Sequence, residues 1–203
     1  MQREDSFGKH YRRCHATSRS RSEEGHMLTR IDDMEGDCVE ETQRLRELAV
    51  KAWNYITAFN WCPPITGAYL ADGVGGIVAL FLFEFERSIG ALGDRCWVVV
   101  GDLPSAYLVV DIDNPKEAFE AYCGLMDEWI NAGTASHDIR TVFPVDAPET
   151  PENAESLRSR VAFLRREIIP SSSTRSIDER EDLQREPCAR SNSVRSAIWP
   201  WRR

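Results

Sequence analysis

The 203-residue sequence lacks several features that would place it in a common class. No apolar run approaches the roughly 18 residues that a membrane-spanning helix needs, and the longest one covers only residues 77–83. The first residues have no apolar core, so we expect no secretory signal. None of the six cysteines forms a Cys-x-x-Cys pair, which favours reduced thiols in a cytoplasmic protein.

Motifs for catalysis and cofactor binding are also missing. There is no Gly-x-Ser-x-Gly sequence, and His137 is the only histidine between residues 38 and 170. The glycine-rich stretch at residues 72–76 leads into a strand-like sequence rather than a helix, which argues against a phosphate loop. Asp111 and Asp113 are better explained as charge before a helix cap than as metal ligands. We therefore expect no cofactor and no metal.

Charge divides the chain into three parts. Residues 1–37 carry a net charge of −1, residues 38–170 a net charge of −9, and residues 171–203 a net charge of +2. Periodic apolar residues are confined to the central part, which predicts one α+β domain over residues 38–170 between two disordered polar tails. An acidic body repels phosphate backbones, so we expect no nucleic-acid binding by the folded domain and leave a basic protein partner open.

Three helices are predicted in the central part. Apolar residues spaced three and four apart predict the first helix over residues 39–60, and Pro63 and Pro64 would end it. The second and third helices each open with a capping residue followed by a proline. The expected caps of the three helices are Asp37 or Cys38, then Asn114, then Thr150.

Three strands are predicted as an antiparallel meander, over residues 77–86, 95–101 and 105–111. The first strand begins with apolar residues on both faces, so we expect it to be central. Residues 141–145 are a candidate edge strand. The expected fold is therefore a three- to four-stranded antiparallel sheet packed against two or three helices, with the first two helices on one face.

Residues 101–105, with the sequence G-D-L-P-S, separate the last two predicted strands. An apolar leucine at the tip of a hairpin is exposed to water unless it folds back onto the core. The sequence favours inward packing of Leu103, and contact of Leu103 with a partner is the alternative. Asp102, Leu103 and Pro104 are therefore candidate binding residues.

A second candidate site would pair Cys62, just after the first helix, with His137, in the loop between the second and third helices. A thiol beside an imidazole can act as a nucleophile, so a small enzyme or ligand-binding domain is the alternative function. The favoured interpretation is a non-catalytic, acidic interaction module. In size and charge alone, such a module is comparable to toxin-neutralising immunity proteins, whose partners are often basic.

The block W-V-V-V-G-D-L-P-S-A-Y-L-V, followed by the helix E-A-F-E-A-Y-C-G-L-M-D-E-W-I, resembles a group of small uncharacterised bacterial proteins with a strand–Gly-Asp-Leu-Pro–strand–helix core. The resemblance is sharp over residues 97–130 and covers residues 39–170 at most. It implies a bacterial source and supports the domain limits. It implies no activity.

Overall fold

The computed structural model describes residues 28–90, 93–108, 112–134 and 143–172. The strands in these ranges are β1 (Thr29–Arg30), β2 (Ile65–Val74), β3 (Val78–Phe85), β4 (Arg95–Gly101) and β5 (Ala106–Leu108). The helices are α1 (Val39–Thr57), α2 (Pro115–Thr134) and α3 (Pro151–Phe163). One π-helical turn (Leu164–Ile168) and a 3₁₀ turn (Ile169–Ser171) continue α3. The predicted tails lie mostly outside the described residues.

The five strands form one antiparallel sheet in the order β1-β2-β3-β4-β5. The predicted α+β class is confirmed, and β3 is central as expected. The predicted strand count is too low, because β1 and β2 were not foreseen. Residues 143–145, part of the candidate edge strand, are not in a strand; residues 141 and 142 lie outside the described ranges.

The segment that precedes α1 belongs to the fold, although the sequence predicts it as part of a polar tail. Thr29 and Arg30 pair with Leu70 and Tyr69 of β2. Met34 follows this short strand and is buried under α1 among the apolar side chains of that layer.

Helices cover both faces of the sheet. On one face, α1 packs over Phe81, Phe83 and Phe85 of β3. On the other face, α2 and α3 pack over Val78, Leu80 and Leu82 of the same strand. The expectation that the first two helices share a face is therefore wrong. An apolar strand with side chains pointing both ways needs cover on both sides, because each exposed face would leave large side chains in water.

The helix caps follow the sequence prediction. The N–H of Glu41 donates to Sγ of Cys38 at 3.4 Å, so Cys38 rather than Asp37 caps α1. Asn114 Oδ1 accepts from the N–H of Glu117 at 2.9 Å, and Thr150 Oγ1 accepts from the N–H of Asn153 at 3.2 Å. Each cap satisfies a backbone donor that the helix itself leaves unpaired.

Gly101, at the end of β4, lies against the backbone at the start of β3. A Cβ atom at this position would be 2.2 Å from the carbonyl oxygen of Ile77. The next residue, Asp102, donates its N–H to that same oxygen at 2.8 Å. Only a residue without a side chain allows this approach, which sets the position of the hairpin tip.

We predict that Gly101→Ala destabilises the domain by about 1–3 kcal/mol or more, because the added methyl group must displace backbone. Gly124→Ala is the matched control: a Cβ there meets nothing within 4 Å, and the residue lies inside α2. That control should gain up to about 1 kcal/mol from helix propensity. Urea denaturation of both variants measures the difference, and equal effects would contradict the close packing of Gly101.

Trp129 of α2 is buried in the core on the α2 side of the sheet, as its helical spacing predicts. We expect Trp129→Ala to cost about 3–5 kcal/mol, since a large side chain leaves a cavity. Trp53→Ala, at a partly exposed position of α1, serves as the control and should cost clearly less. A loss below about 1 kcal/mol at Trp129 would contradict its assignment to the core.

Candidate functional site

A groove of about 590 Å³ lies at the tip of the β4–β5 hairpin. We call it the hairpin groove. Residues from α1, α2, α3 and the segment before α3 complete its walls. The lining residues are Lys51, Tyr55, residues 101–105, Trp129, residues 144–147, Asn153, Ser156, Leu157 and Arg160.

Three charged side chains of the hairpin groove, Lys51, Asp102 and Arg160, have partners within the domain. Lys51 Nζ donates to the carbonyl oxygen of Gly101 at 2.7 Å. Arg160 Nε lies 3.4 Å from Oδ2 of Asp102. With Asp146 as a second carboxylate, the lining holds two cations and two anions. The groove is therefore balanced in charge, and the two contacts connect the hairpin to α1 on one side and to α3 on the other.

The three predicted hairpin residues all line this groove, but in different ways. Leu103 is only 6% exposed and packs in the core beneath α2 and α3, so the favoured inward orientation is the one observed. The hydroxyl of Tyr122 donates to the carbonyl oxygen of Pro104 at 2.8 Å, which ties the tip to α2. Asp102 remains exposed. Leu103 and Pro104 therefore hold the hairpin in place, and Asp102 faces solvent.

The pair of Cys62 and His137 stays a prediction, because His137 lies outside the described residues. Cys62 is partly buried beside an aromatic cluster, and its Sγ lies 3.5 Å from the carbonyl oxygen of Pro63. Burial raises the pKa of the Cys62 thiol. A thiol with a raised pKa stays protonated at neutral pH and is a poor nucleophile.

A second groove, of about 400 Å³, lies between α1 and the segment that follows β1. We call it the α1 groove. Its surface is mostly apolar. The lining residues are Ile31, Asp32, Met34, Arg46, Ala49, Val50, Trp53 and Asn54.

Two large apolar side chains of the α1 groove are exposed. Val50 is 61% exposed and Trp53, one helical turn further, is 40% exposed. The floor is formed by the buried residues Met34 and Ala49. The ring centroid of Trp53 lies 6.1 Å from that of Phe83, so the core supports the indole from one side while its other side faces the groove.

One wall of the α1 groove comes from residues 31–35, a segment with three carboxylates and no cation. Asp32 lines the groove, and its chain neighbours Asp33 and Glu35 are exposed. Arg46 of α1 is the lining cation, so the lining itself carries no net charge. The groove therefore combines an apolar floor with a wall segment that is acidic in sequence.

Sequence reasoning missed the α1 groove. The helical spacing of apolar residues over 39–60 includes Trp53, which predicts a buried position for it, and does not include Val50. The available signal was Val50 itself, an apolar residue outside the predicted stripe and three positions before a tryptophan. The other wall comes from residues 31–34, which the sequence predicts as part of a polar tail.

In the described ranges, no group of three or more His, Cys, Asp or Glu side chains is placed to hold a metal ion. No helix in this part of the chain combines the length and apolarity needed to cross a membrane. Comparisons of the chain with family models, curated proteins and solved structures found no match. The candidate functional sites in the described part of the chain are therefore the two grooves.

Leu103→Asp tests the role of the hairpin tip. Because Leu103 is buried, the new carboxylate must be buried or expelled, and we expect a loss of several kcal/mol in a thermal or urea melt. Asp102→Asn is the neighbouring control. It removes only the exposed ion pair with Arg160. Ion pairs of this kind contribute about 0–1 kcal/mol to stability. An unchanged melting curve for Leu103→Asp would contradict the inward packing.

Proposed function

We propose that this domain is a non-catalytic protein-interaction module that binds a basic partner through the α1 groove. The observation that carries the proposal is the exposed pair Val50 and Trp53 above an apolar floor. Tryptophan is enriched among the residues that dominate binding energy at protein interfaces. Its indole offers a large apolar area at a low entropic cost.

The shape of the α1 groove suits a side chain of a partner protein. Its volume, about 400 Å³, is at the lower end of the range for ligand pockets, roughly 300–1,000 Å³. The apolar lining gives little direction to a small polar molecule. A short protein segment with one apolar anchor would bury Val50 and Trp53 together, and burying apolar area is worth about 25 cal/mol per Å².

Charge makes a basic partner the best match. The wall segment of residues 31–35 carries three carboxylates, Asp32, Asp33 and Glu35, and no cation. Residues 38–170, which include Arg46 of the lining, carry a net charge of −9. A negative surface of this kind speeds the approach of a positive partner and repels acidic ones, with an effect that weakens as salt rises. We take the source to be bacterial, as the resemblance of residues 97–130 implies, and the compartment to be the cytoplasm, as the spacing of the cysteines favours.

Ligand binding in the hairpin groove is the second candidate function. Its larger volume and its four charged side chains favour this alternative. A ligand there would compete with the contacts that Lys51 and Arg160 already make with Gly101 and Asp102. These contacts reduce the energy that the groove can offer, so we rank it below the α1 groove. An enzyme built on Cys62 and His137 is a further alternative; burial raises the pKa of the Cys62 thiol, so His137 would have to activate it as a base.

Selection of peptides from a displayed random library tests the proposed function. We expect the full chain to enrich peptides that combine Arg or Lys with an aromatic residue. Val50→Lys should abolish this enrichment, because it replaces an exposed apolar contact of the groove with a cation that repels a basic peptide. Raising the salt concentration should weaken the binding of the selected peptides, since part of their affinity is electrostatic.

Val39→Lys is the matched control. It makes the same substitution on the same helix, at a position that is 81% exposed and outside the groove lining. It should leave the selection unchanged. Enrichment of acidic peptides, or equal enrichment by the Val50→Lys chain, would contradict the proposal. Peptides lost only on Arg160→Ala would favour the hairpin groove instead.

A further inference from the structure

The chain carries, in its own sequence, a segment with the chemistry that the α1 groove fits. Residues 187–203 contain four arginines and no acidic residue. The stretch I-W-P-W-R-R at residues 198–203 places two tryptophans next to two of these arginines. The preceding residues of this tail, 171–186, are mixed in charge, with three arginines against five acidic residues.

We propose that residues 198–203 bind in the α1 groove of the same molecule and compete there with the basic partner. This inference rests on the proposed function, since it assigns an internal ligand to the same groove. The segment would act as a built-in competitor. A partner would gain access only by displacing it.

The match between groove and segment is both apolar and electrostatic. An indole from Trp199 or Trp201 would cover the exposed faces of Val50 and Trp53, which aromatic pairing favours beyond area alone. The guanidinium groups of Arg202 and Arg203 would pair with Asp32 of the lining and with the exposed Asp33 and Glu35 of the same segment. Arginine is well suited to this, because its planar group pairs with a carboxylate through two hydrogen bonds. An arginine can also stack on the face of an exposed indole.

The length of the intervening chain permits this contact. The described part ends at Ser172, and Ile198 lies 26 positions further along the chain, with 25 residues between them. At roughly 3.3 Å per residue, an extended chain of this length spans about 85 Å. A domain of about 130 residues has a radius of gyration near 14 Å. The segment can therefore reach the α1 groove from the opposite side of the sheet, where α3 lies.

Covalent attachment makes even a weak contact effective. A site joined to its ligand by a linker of suitable length experiences that ligand at an effective concentration of about millimolar. An intramolecular contact with a dissociation constant below that value is then mostly formed. The apparent affinity for the partner is then the intrinsic affinity multiplied by the fraction of molecules whose groove is free.

Photo-cross-linking in the full chain tests the inference. The photoreactive residue benzoylphenylalanine replaces Trp201, and peptide mass spectrometry locates the cross-links. We expect them in residues 31–54, within monomers. The Val50→Lys substitution should lower their yield about tenfold or more, as loss of a central interface contact does. Val39→Lys should leave the yield unchanged.

A second placement controls for chance encounters. Benzoylphenylalanine at Asn192 lies outside residues 198–203, but at 20 positions after Ser172 its chain can extend about 66 Å and reach the groove. It should cross-link to residues 31–54 much less than the probe at Trp201. Equal yields from the two placements would overturn the inference. So would cross-links that survive Val50→Lys, or cross-links found only in dimers, which would indicate binding between copies.

The inference and the proposed function fail separately. The full-length double variant Trp199→Ala, Trp201→Ala removes the internal ligand without altering the groove. Peptide selection is repeated with this variant. Stronger enrichment than with the unaltered chain supports competition. Basic peptides selected equally by both chains, with no cross-link to the groove, would overturn self-binding and leave the proposed function standing. A specific cross-link, combined with no enrichment of any peptide, would mean that the groove binds only residues 198–203 of its own chain and would contradict the proposed function.

Discussion

Burial of β3 on both faces is the constraint on which the rest of the structure depends. Its first six residues, Val78 to Phe83, are buried without interruption. Neither face can be left to solvent, because each exposed large apolar side chain would cost roughly 1.5–3 kcal/mol. The chain therefore places α1 on one side and α2 with α3 on the other. The two apolar cores, each formed by alternate residues of β3 and β4, follow from this arrangement.

The hairpin tip connects the two helical layers. Gly101 lies on the backbone of Ile77 and accepts a hydrogen bond from Lys51 of α1. Asp102 faces Arg160 of α3, and Leu103 enters the core below it. The hairpin residues that the sequence predicts as candidate binding residues thus largely hold the two helical layers together. A partner at this position would have to replace contacts that already stabilise the fold.

The α1 groove is in the opposite situation. One side of α1 is fully used against the sheet, and the chain before it packs Met34 under the helix. Between these contacts Val50 and Trp53 keep much of their surface in water. An exposed tryptophan supported by the core is already held in position, so a partner that covers it loses little side-chain entropy. This is why the groove, and not the hairpin, carries the proposal of binding.

The sequence by itself determined what depends on neighbouring residues along the chain. The caps at Cys38, Asn114 and Thr150 and the apolar run of β3 are local signals, and the structure follows them. The predicted end of the first helix is wrong by three residues, because α1 ends at Thr57, well before Pro63. Tertiary structure alone decided the rest. The strand β2, which contains Gly67, Gly73 and Asp72, has a weak strand tendency of its own and is stabilised by pairing along β3. Neither the face that each helix covers nor the two walls of the α1 groove could be predicted. Residues distant in sequence meet there, and a single chain pattern records periodicity but not which surfaces come together.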